Sequence, residues 1–510
     1  ASVFAVRIRR PDRRSSPPSA MPAQMPTADQ RRRIVIVGAG ITGLAAALRV
    51  AELDPSADLV VLESSDRVGG VLRTEQSDGF LIEHSADNFI TDQPGVLDFC
   101  RRVGLESQLL PTRATQRRAF IAHRGRLEPV PEGFLLMAPA GLGSIWHTRL
   151  LSLRGKLRLA AERLVPSRPA YDPVTEPHLE ESLAQFATRR LGREAFAHLV
   201  QPLVSGIYSA DPEQLSVAAT LPRFLDMERR YGSLTAAMRA KARASDAGSR
   251  GAATDSGARY SLFMAPRLGM NQLTEAAASR LPPGALRPGS RVLSVDKQED
   301  GWRLVVDGQP DPIIADGLIL AAPAGVSASL LRPTDAALAG AIDSIPLGGC
   351  SVVCLGFRRA ALKQPPEGFG FVVPAVENSP ILAASYSSEK FSGRADDEHF
   401  LVRVFVGGAG KEHLAALSDD ELAALAVEGM RVWLGMEEPP VLRRVARWHG
   451  AMPQYHLGHL ALVQRIEDLV ARHASLAVAG NAYRGVGIPQ CIQSGEAAAE
   501  QVLGAASRIP

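Results

Sequence analysis

At 510 residues the chain is longer than one compact core supports, so two or three domains are expected. Its apolar fraction of 46% and charged fraction of 22% are those of an ordinary globular protein and exclude a fibrous or wholly disordered chain. The net charge of +3 includes a local +6, from eight Arg against Asp12 and Asp29 in the first 33 residues; the remainder stands at −3, which gives no reason to expect nucleic acid as a partner.

Cys100, Cys350, Cys354 and Cys491 lie far apart and form no C-x-x-C, so buried thiols in a reducing compartment are expected rather than a disulfide framework or a metal site. No stretch approaches the ~20 uninterrupted apolar residues that span a bilayer. The nearest, Gly317 to Ala328, reads as a buried strand and loop.

Residues 1–32 are rich in Pro, Ser and Arg and lack apolar periodicity, so a disordered extension is expected. Its composition is that of an organelle transit peptide, or of sequence upstream of a start at Met21 or Met25, the reading preferred here. Order begins at Arg33 to Val37, a short β-branched strand that breaks at Gly38-x-Gly40-Ile41-Thr42-Gly43 and leads into an alanine-rich helix. The first glycine serves a tight turn, the second a close approach to pyrophosphate, and the third helix–strand packing; the helix N-terminus then presents free N–H groups to the phosphates. Asp58 to Glu63 is a second strand ending in an acid, 20 residues past Gly43, where a ribose-binding carboxylate is expected. Beyond it, Arg67 is placed to return toward the phosphates, and Gly69-Gly70 permit backbone close to a ligand.

From residue 94 the pattern turns helical: 94–110 is amphipathic, and 141–200 holds several helical stretches with a proline-rich break at 166–177. An apolar run from Phe134 to Trp146 precedes Arg149, Arg154, Lys156, Arg158 and Arg163, which is either an interfacial membrane contact or a helical core under a solvated basic face. Residues 240–257 read as a flexible loop. A second ordered unit starts at Phe263, with strands at 290–296, 302–307 and 317–322. Short alternating strands at 350–357, 370–374 and 399–406 suggest a separate antiparallel sheet, and a helix follows at 414–434. Ser475 to Gly495 is again strand, glycine loop and helix.

The layout from about 33 to 505 resembles the flavoprotein superfamily of amine oxidases, phytoene desaturases and protoporphyrinogen oxidases, through Gly38–Gly43, Glu63, Arg67, Gly69-Gly70 and the closing loop Gly480 to Pro489. Three further stretches resemble the protoporphyrinogen/coproporphyrinogen oxidase branch: Pro202 to Ser216, Gly368 to Pro374, and Pro453-x-Tyr455-x-x-Gly458-His459. The resemblance implies FAD as cofactor and an α/β fold. A Rossmann-like FAD domain is assembled from 33–92, 260–330 and 472–507. An α+β substrate domain comprises 93–118, 205–259 and 331–471, and a helical, membrane-associating subdomain comprises 119–204.

Carried over by position, the resemblance places Gly38, Gly40, Ile41, Thr42 and Gly43 at the pyrophosphate, with Glu63 at the ribose and Ser64 and Arg67 on the adenosine side. Gly70, Val71 and the run Ser85, Ala86, Asp87 and Asn88 approach the flavin, and Val292 meets adenine through its backbone. Val486, Gly487 and Ile488 touch the isoalloxazine, near which Trp448 packs unless it is ordinary core. For the substrate, Arg118, or Arg117 in its place, meets a propionate; Phe369 and Tyr386 line the macrocycle slot; and Gly206 sits where bulk would obstruct it.

The implied reaction takes six hydrogens from a porphyrinogen in three two-electron steps at flavin N5, with molecular oxygen as acceptor and hydrogen peroxide as product, and with no catalytic side-chain base. Protoporphyrinogen IX is preferred over coproporphyrinogen III because only one arginine cluster is identifiable. An amine oxidase fits less well, since Gly487 falls where those enzymes carry a flavin-facing aromatic; phytoene desaturation lacks the Pro453–His459 pattern, and a non-catalytic flavin protein is the alternative outside enzymes. The family further implies a monomer or homodimer, cytoplasmic or peripheral on the cytoplasmic face of an inner membrane, with hand-over of the porphyrin to a chelatase.

Overall fold

The computed structural model describes residues 31–139, 141, 143–246, 263–363 and 366–506. The expected N-terminal extension through residue 30 and positions 247–257 of the expected loop lie outside the described residues; 240–246, also assigned to that loop, complete the helix Leu234–Asp246.

Arg33–Val37 forms the centre of a five-stranded parallel sheet. It pairs on one side with Asp58–Leu62, which in turn pairs with Leu286–Arg287. On the other side lies Gly317–Leu320, followed by Leu476–Val478. Segments far apart in sequence thus make one sheet, and the four apolar residues of the central strand are all buried, as a two-sided parallel sheet requires. Helix Ile41–Leu53 and the terminal helix Ile488–Ala506 pack together on one face, so closely that a side chain at Gly495 would overlap the Thr42 carbonyl.

Two assignments made from sequence shift. Helix Pro94–Arg102, expected in the substrate region, buries Val96, Phe99 and Cys100 in the same core as Ile41 and Ile492. Helices Ala336–Asp343 and His459–Val470 cover the opposite face of the parallel sheet, together with the meander Val292–Gln298, Gly301–Val306 and Ile313–Ala315.

The second sheet has seven strands in the order Leu442–Arg447, Cys350–Arg358, His399–Gly407, Ile381–Tyr386, Gly370–Val372, Phe120–His123, Arg126–Pro129. Every pairing is antiparallel except that of Gly370–Val372 with Phe120–His123. The helical region therefore begins after Pro129 and not at 119. One face of this sheet packs on helix Asp419–Leu434 through Phe371, Phe400, Val404, Leu422 and Met430. The other face, bearing Val352, Cys354 and Leu401, meets Phe80 and Ile82 of the nucleotide region.

In the helical region Arg190 and Glu162 are fully buried as an ion pair. Glu162 also accepts the N–H groups of Leu234 and Thr235 at 2.9 and 3.2 Å and the Ser233 hydroxyl at 2.6 Å, so one carboxylate satisfies an arginine and a helix start. Arg158, expected on the basic surface, donates to the Arg189 and Arg190 carbonyls. The described residues from Arg32 onward hold together as one compact unit, so these parts are regions of a single body. All four cysteines are free and buried. Among the described residues no helix is long and apolar enough to cross a membrane.

Candidate functional site

The glycine loop is shaped by close approach. Gly38 has φ +104°, and a Cβ there would fall 2.7 Å from the Ala321 carbonyl oxygen; a Cβ on Gly43 would overlap the Gly38 carbonyl. Gly40 instead faces Gly69-Gly70: it bridges to Gly69, whose N–H donates to the Ala39 carbonyl at 2.8 Å. The helix beginning at Ile41 has Gly40 as N-cap and no side-chain cap, leaving its first N–H groups for an anion.

Glu63, buried at the end of its strand, accepts the Ala39 N–H at 2.7 Å through one oxygen and the Ser65 N–H and hydroxyl at 2.9 Å through the other, with the Ser64 hydroxyl at 3.3 Å. Ser290 N–H donates to the Glu63 carbonyl at 2.7 Å and Gly289 N–H to the Ser65 carbonyl at 2.8 Å, bringing the segment that enters Val292 alongside this carboxylate. A carboxylate over the glycine turn, backbone without Cβ at Gly40 and Gly70, and an uncapped helix start are the donor and acceptor set a dinucleotide needs.

Arg67 also works within its own turn. Its guanidinium donates to the carbonyls of Gly70 at 2.6 Å and of Val68 and Leu72 at 3.1 Å, so it holds the Gly69-Gly70 turn against the glycine loop. Val71, at the tip of that turn, is 47% exposed.

The run Ser85 to Asn88 is held from the second sheet. Arg403 donates to the Ser85 carbonyl and lies 3.2 Å from the Asp87 carboxylate, whose two oxygens are each 3.2 Å from Lys390 Nζ. Burial alone would raise the Asp87 pKa, but Lys390 and Arg403 hold it well below the usual carboxylate range. Asn88 donates to the same carboxylate. Burial pushes the neighbouring Glu83 up to about 7, against hydrogen bonds from Met270 N–H and the Thr74 hydroxyl, both at 2.8 Å. Trp448 donates from its indole nitrogen to the His84 carbonyl at 2.6 Å and, with Arg67, Arg73 and His84, lines a cavity of about 290 Å³.

The closing loop is latched by the Pro453–His459 stretch, a role its sequence pattern did not reveal. The Tyr455 hydroxyl accepts the Gly485 N–H at 2.7 Å and donates to the Asn481 carbonyl at 2.7 Å. His459 donates from Nε2 to the Tyr483 carbonyl at 2.8 Å, and its ring stacks on that of Tyr455 with centroids 3.9 Å apart. The Tyr455 carbonyl in turn accepts the Ser216 N–H at 2.8 Å, and Leu457 N–H bonds the Gln214 carbonyl at 3.0 Å. Pro202–Ser216, Pro453–His459 and Gly480–Pro489 thus form one assembly. Gly487 lies immediately before the helix that begins at Ile488, and the Cys491 thiol bonds Thr42, so Val486, Gly487 and Ile488 sit at the helix that opens the glycine loop.

The substrate candidates divide. Arg118 has a side chain 64% exposed and only a 4.0 Å contact with Glu367, while its carbonyl accepts the Phe369 N–H at 2.8 Å. Arg117 is half-buried, with one guanidinium nitrogen 3.4 Å from the Thr112 carbonyl, and is the less available of the two. Gly206, on helix Gln201–Tyr208, is exposed, and a Cβ there would stand 3.2 Å from Val372. Tyr386 does not line the slot. It pairs with Val402, lies edge-on to Phe400 at 5.5 Å and Phe371 at 6.3 Å, and faces helix Asp419–Leu434. Strand alternation puts Ser385, opposite Arg403, on the other face.

A family model described as flavin containing amine oxidoreductase matches residues 41–503. The coproporphyrinogen III oxidase of Propionibacterium freudenreichii is 33% identical over 496 residues, covering 93% of this chain and 91% of that protein. That of Bacillus subtilis is 30% identical over 480 residues, covering 93% and 98%. The mitochondrial protoporphyrinogen oxidase of Nicotiana tabacum is 28% identical over 92% of this chain and 95% of its own length. Among solved structures, an Exiguobacterium protein described as "Putative protoporphyrinogen oxidase" superposes with a TM-score of 0.80 at 29% identity, covering 92% of this chain and 98% of that one.

Proposed function

The chain belongs to the family of flavin-containing amine oxidoreductases, and we propose that it oxidises coproporphyrinogen III to coproporphyrin III. It is an FAD-dependent oxidoreductase acting on a porphyrinogen. The observation that carries the choice of substrate is the similarity, over 93% of the chain, to two coproporphyrinogen III oxidases. The preference for protoporphyrinogen IX drawn from sequence rested on a single identifiable arginine cluster. That substrate is the second reading, favoured by the 28% identity to the tobacco enzyme.

When bound, FAD supplies a two-electron acceptor, so that six hydrogens leave the porphyrinogen in three oxidations while three molecules of oxygen become three of hydrogen peroxide. The chain's own residues do the rest. Glu63 takes the ribose hydroxyls, Gly40, Gly70 and the uncapped helix start take the pyrophosphate, and the latched loop 485–488 borders the isoalloxazine. Arg118, exposed beside Phe369, holds a propionate. No side-chain base is assigned: Glu83, although its pKa is near 7, is buried and bonded to Met270 and Thr74.

Membrane-surface association belongs to the same reading. Trp146, Leu153, Leu157 and Leu164 are exposed at 42%, 66%, 54% and 85%, beside exposed Arg149, Arg154 and Arg163. A monomer or homodimer passing its product to a chelatase is consistent with it.

Purified holoenzyme supplied with each porphyrinogen, followed by porphyrin fluorescence and oxygen uptake, tests the assignment. A kcat/KM at least about tenfold higher for coproporphyrinogen III is expected. A preference for protoporphyrinogen IX, or no turnover of either, would overturn it.

A further inference from the structure

The segment Ser85 to Asn88 joins the nucleotide core to the second sheet. Glu83, just before it, accepts the Met270 N–H at 2.8 Å; Phe89, just after it, pairs with Met264 and is buried in the core of Ile41 and Ile492. His84 and Asp87 are buried, yet Ala86 is exposed and Ser85 half-buried, so the tip of the segment is accessible. The Ser85 hydroxyl has no hydrogen-bond partner among the described residues.

The side chains that hold this segment carry more positive than negative charge. Arg403, on strand His399–Gly407, and Lys390, ending helix Ser387–Lys390, both lie 3.2 Å from the Asp87 carboxylate, with side chains only 3% and 12% exposed. Arg403 also donates to the Ser85 carbonyl. Buried Arg394 donates to the carbonyls of Pro266 and Arg267 at 2.9 Å and is not satisfied by a carboxylate. Three cations thus stand against two carboxylates, Asp87 and Glu83. Nearby acids do not cancel the surplus, because Glu389 is matched by Arg359 at 2.5 Å and Glu75 by Arg444 at 2.7 Å. At least one positive charge is left over in the interior, where water screens it weakly.

An isoalloxazine gains negative charge when it is reduced, so a cation buried beside it favours the reduced form. We propose that Arg403 and Lys390 are positioning residues for the flavin: they fix Ser85–Asn88 against it, and their unbalanced charge makes it a stronger oxidant. This rests on the FAD-dependent reading and on the place of Ser85–Asn88 within it. Asp87 works in the opposite sense, since its carboxylate offsets one of the cations that hold it.

The midpoint potential of flavin bound to the holoenzyme, read spectrophotometrically against reference dyes, tests the assignment. Arg403→Met should shift the two-electron reduction equilibrium about tenfold toward the oxidised form, a fall of about 30 mV. Asp87→Asn should shift it the other way, because it removes the compensating anion and leaves the cations. Arg403→Lys, which keeps the charge, should stay within about threefold of wild type. Mere loosening of the segment would move Arg403→Met and Asp87→Asn in the same direction. Potentials that move together, or that do not move, overturn the proposal. Should Arg403→Met not retain FAD, Lys390→Met decides: the same fall is expected, and an unchanged potential overturns the proposal. Wild type that binds no FAD would instead overturn the functional reading, and this proposal with it.

Discussion

The hydroxyl of Tyr455 accepts the N–H of Gly485 at 2.7 Å, across 30 residues of sequence. The same oxygen donates to the Asn481 carbonyl, so one phenol ties two points of the loop from Gly480 to Pro489. Because Tyr455 is itself pinned through its carbonyl to Ser216, the loop's position depends on the helical region as well as on its own strand and helix. Placement of this loop is therefore a property of three chain segments acting together.

Tyr455→Phe keeps the stacked ring and removes only the hydroxyl. It leaves the Gly485 N–H and Asn481 carbonyl without this partner, at a cost of about 1–3 kcal/mol for a group left unpaired. The expected result is FAD binding weaker by about tenfold, measured as free-flavin fluorescence on dilution. A variant that retains FAD and its melting temperature like wild type would show that the latch is dispensable.

His459 makes the same loop sensitive to acid. Burial pushes its pKa down to about 4, although the Tyr483 carbonyl favours the protonated ring. Unfolded, the imidazole takes up its proton near 6.5, so between about 6.5 and 4 the unfolded chain binds more protons. The contribution of neutral His459 is thus fully present above 6.5 and is lost as pH falls toward 4. Urea midpoints should decline across that window, and His459→Gln, which keeps an N–H for Tyr483, should flatten the decline. Parallel profiles for the two proteins would assign the acid sensitivity elsewhere.

Tyr386→Phe probes the face of the second sheet. The Tyr386 hydroxyl is buried with no hydrogen-bond partner, and the ring sits among Phe371 and Phe400. Removing it should leave stability unchanged or raise it by about 1 kcal/mol, with KM for the porphyrinogen unaffected. A raised KM would return this side chain to the slot.

Leu157 and Leu164 offer a test of the membrane surface. Replacing both by Glu should abolish co-flotation with anionic vesicles while FAD content and turnover in detergent stay at wild-type level. Equal flotation of the two proteins would assign the exposed leucines another role.

The strand, glycine turn and acid proposed to bind the cofactor were legible as local geometry. A β-branched strand, three glycines at fixed spacing and an acid 20 residues on are local signals, and the turn from Val37 to Gly43 has few other conformations open to it. Glu63 stands over the loop where the spacing put it. Other residues were visible by type but not by task. Arg67 was marked as a ligand-facing cation, and three of its guanidinium N–H groups also go to carbonyls of its own turn, a task the sequence did not show. The Pro453–His459 stretch was recognised as a pattern, but what its tyrosine and histidine hold lies some 25 to 30 residues further along. Lys390 and Arg403 gave no signal, because their partner Asp87 is more than 300 residues away.

By itself, then, the amino-acid sequence determined the elements whose cause is local: the strand, the glycine turn, the uncapped helix and the acid that follows. Tertiary structure decided the rest. Strand register turned Tyr386 into the core and left Ser385 opposite Arg403, since a period of two makes one residue's difference a change of face. Sheet order joined 33–62, 286–320 and 476–478 into one parallel layer.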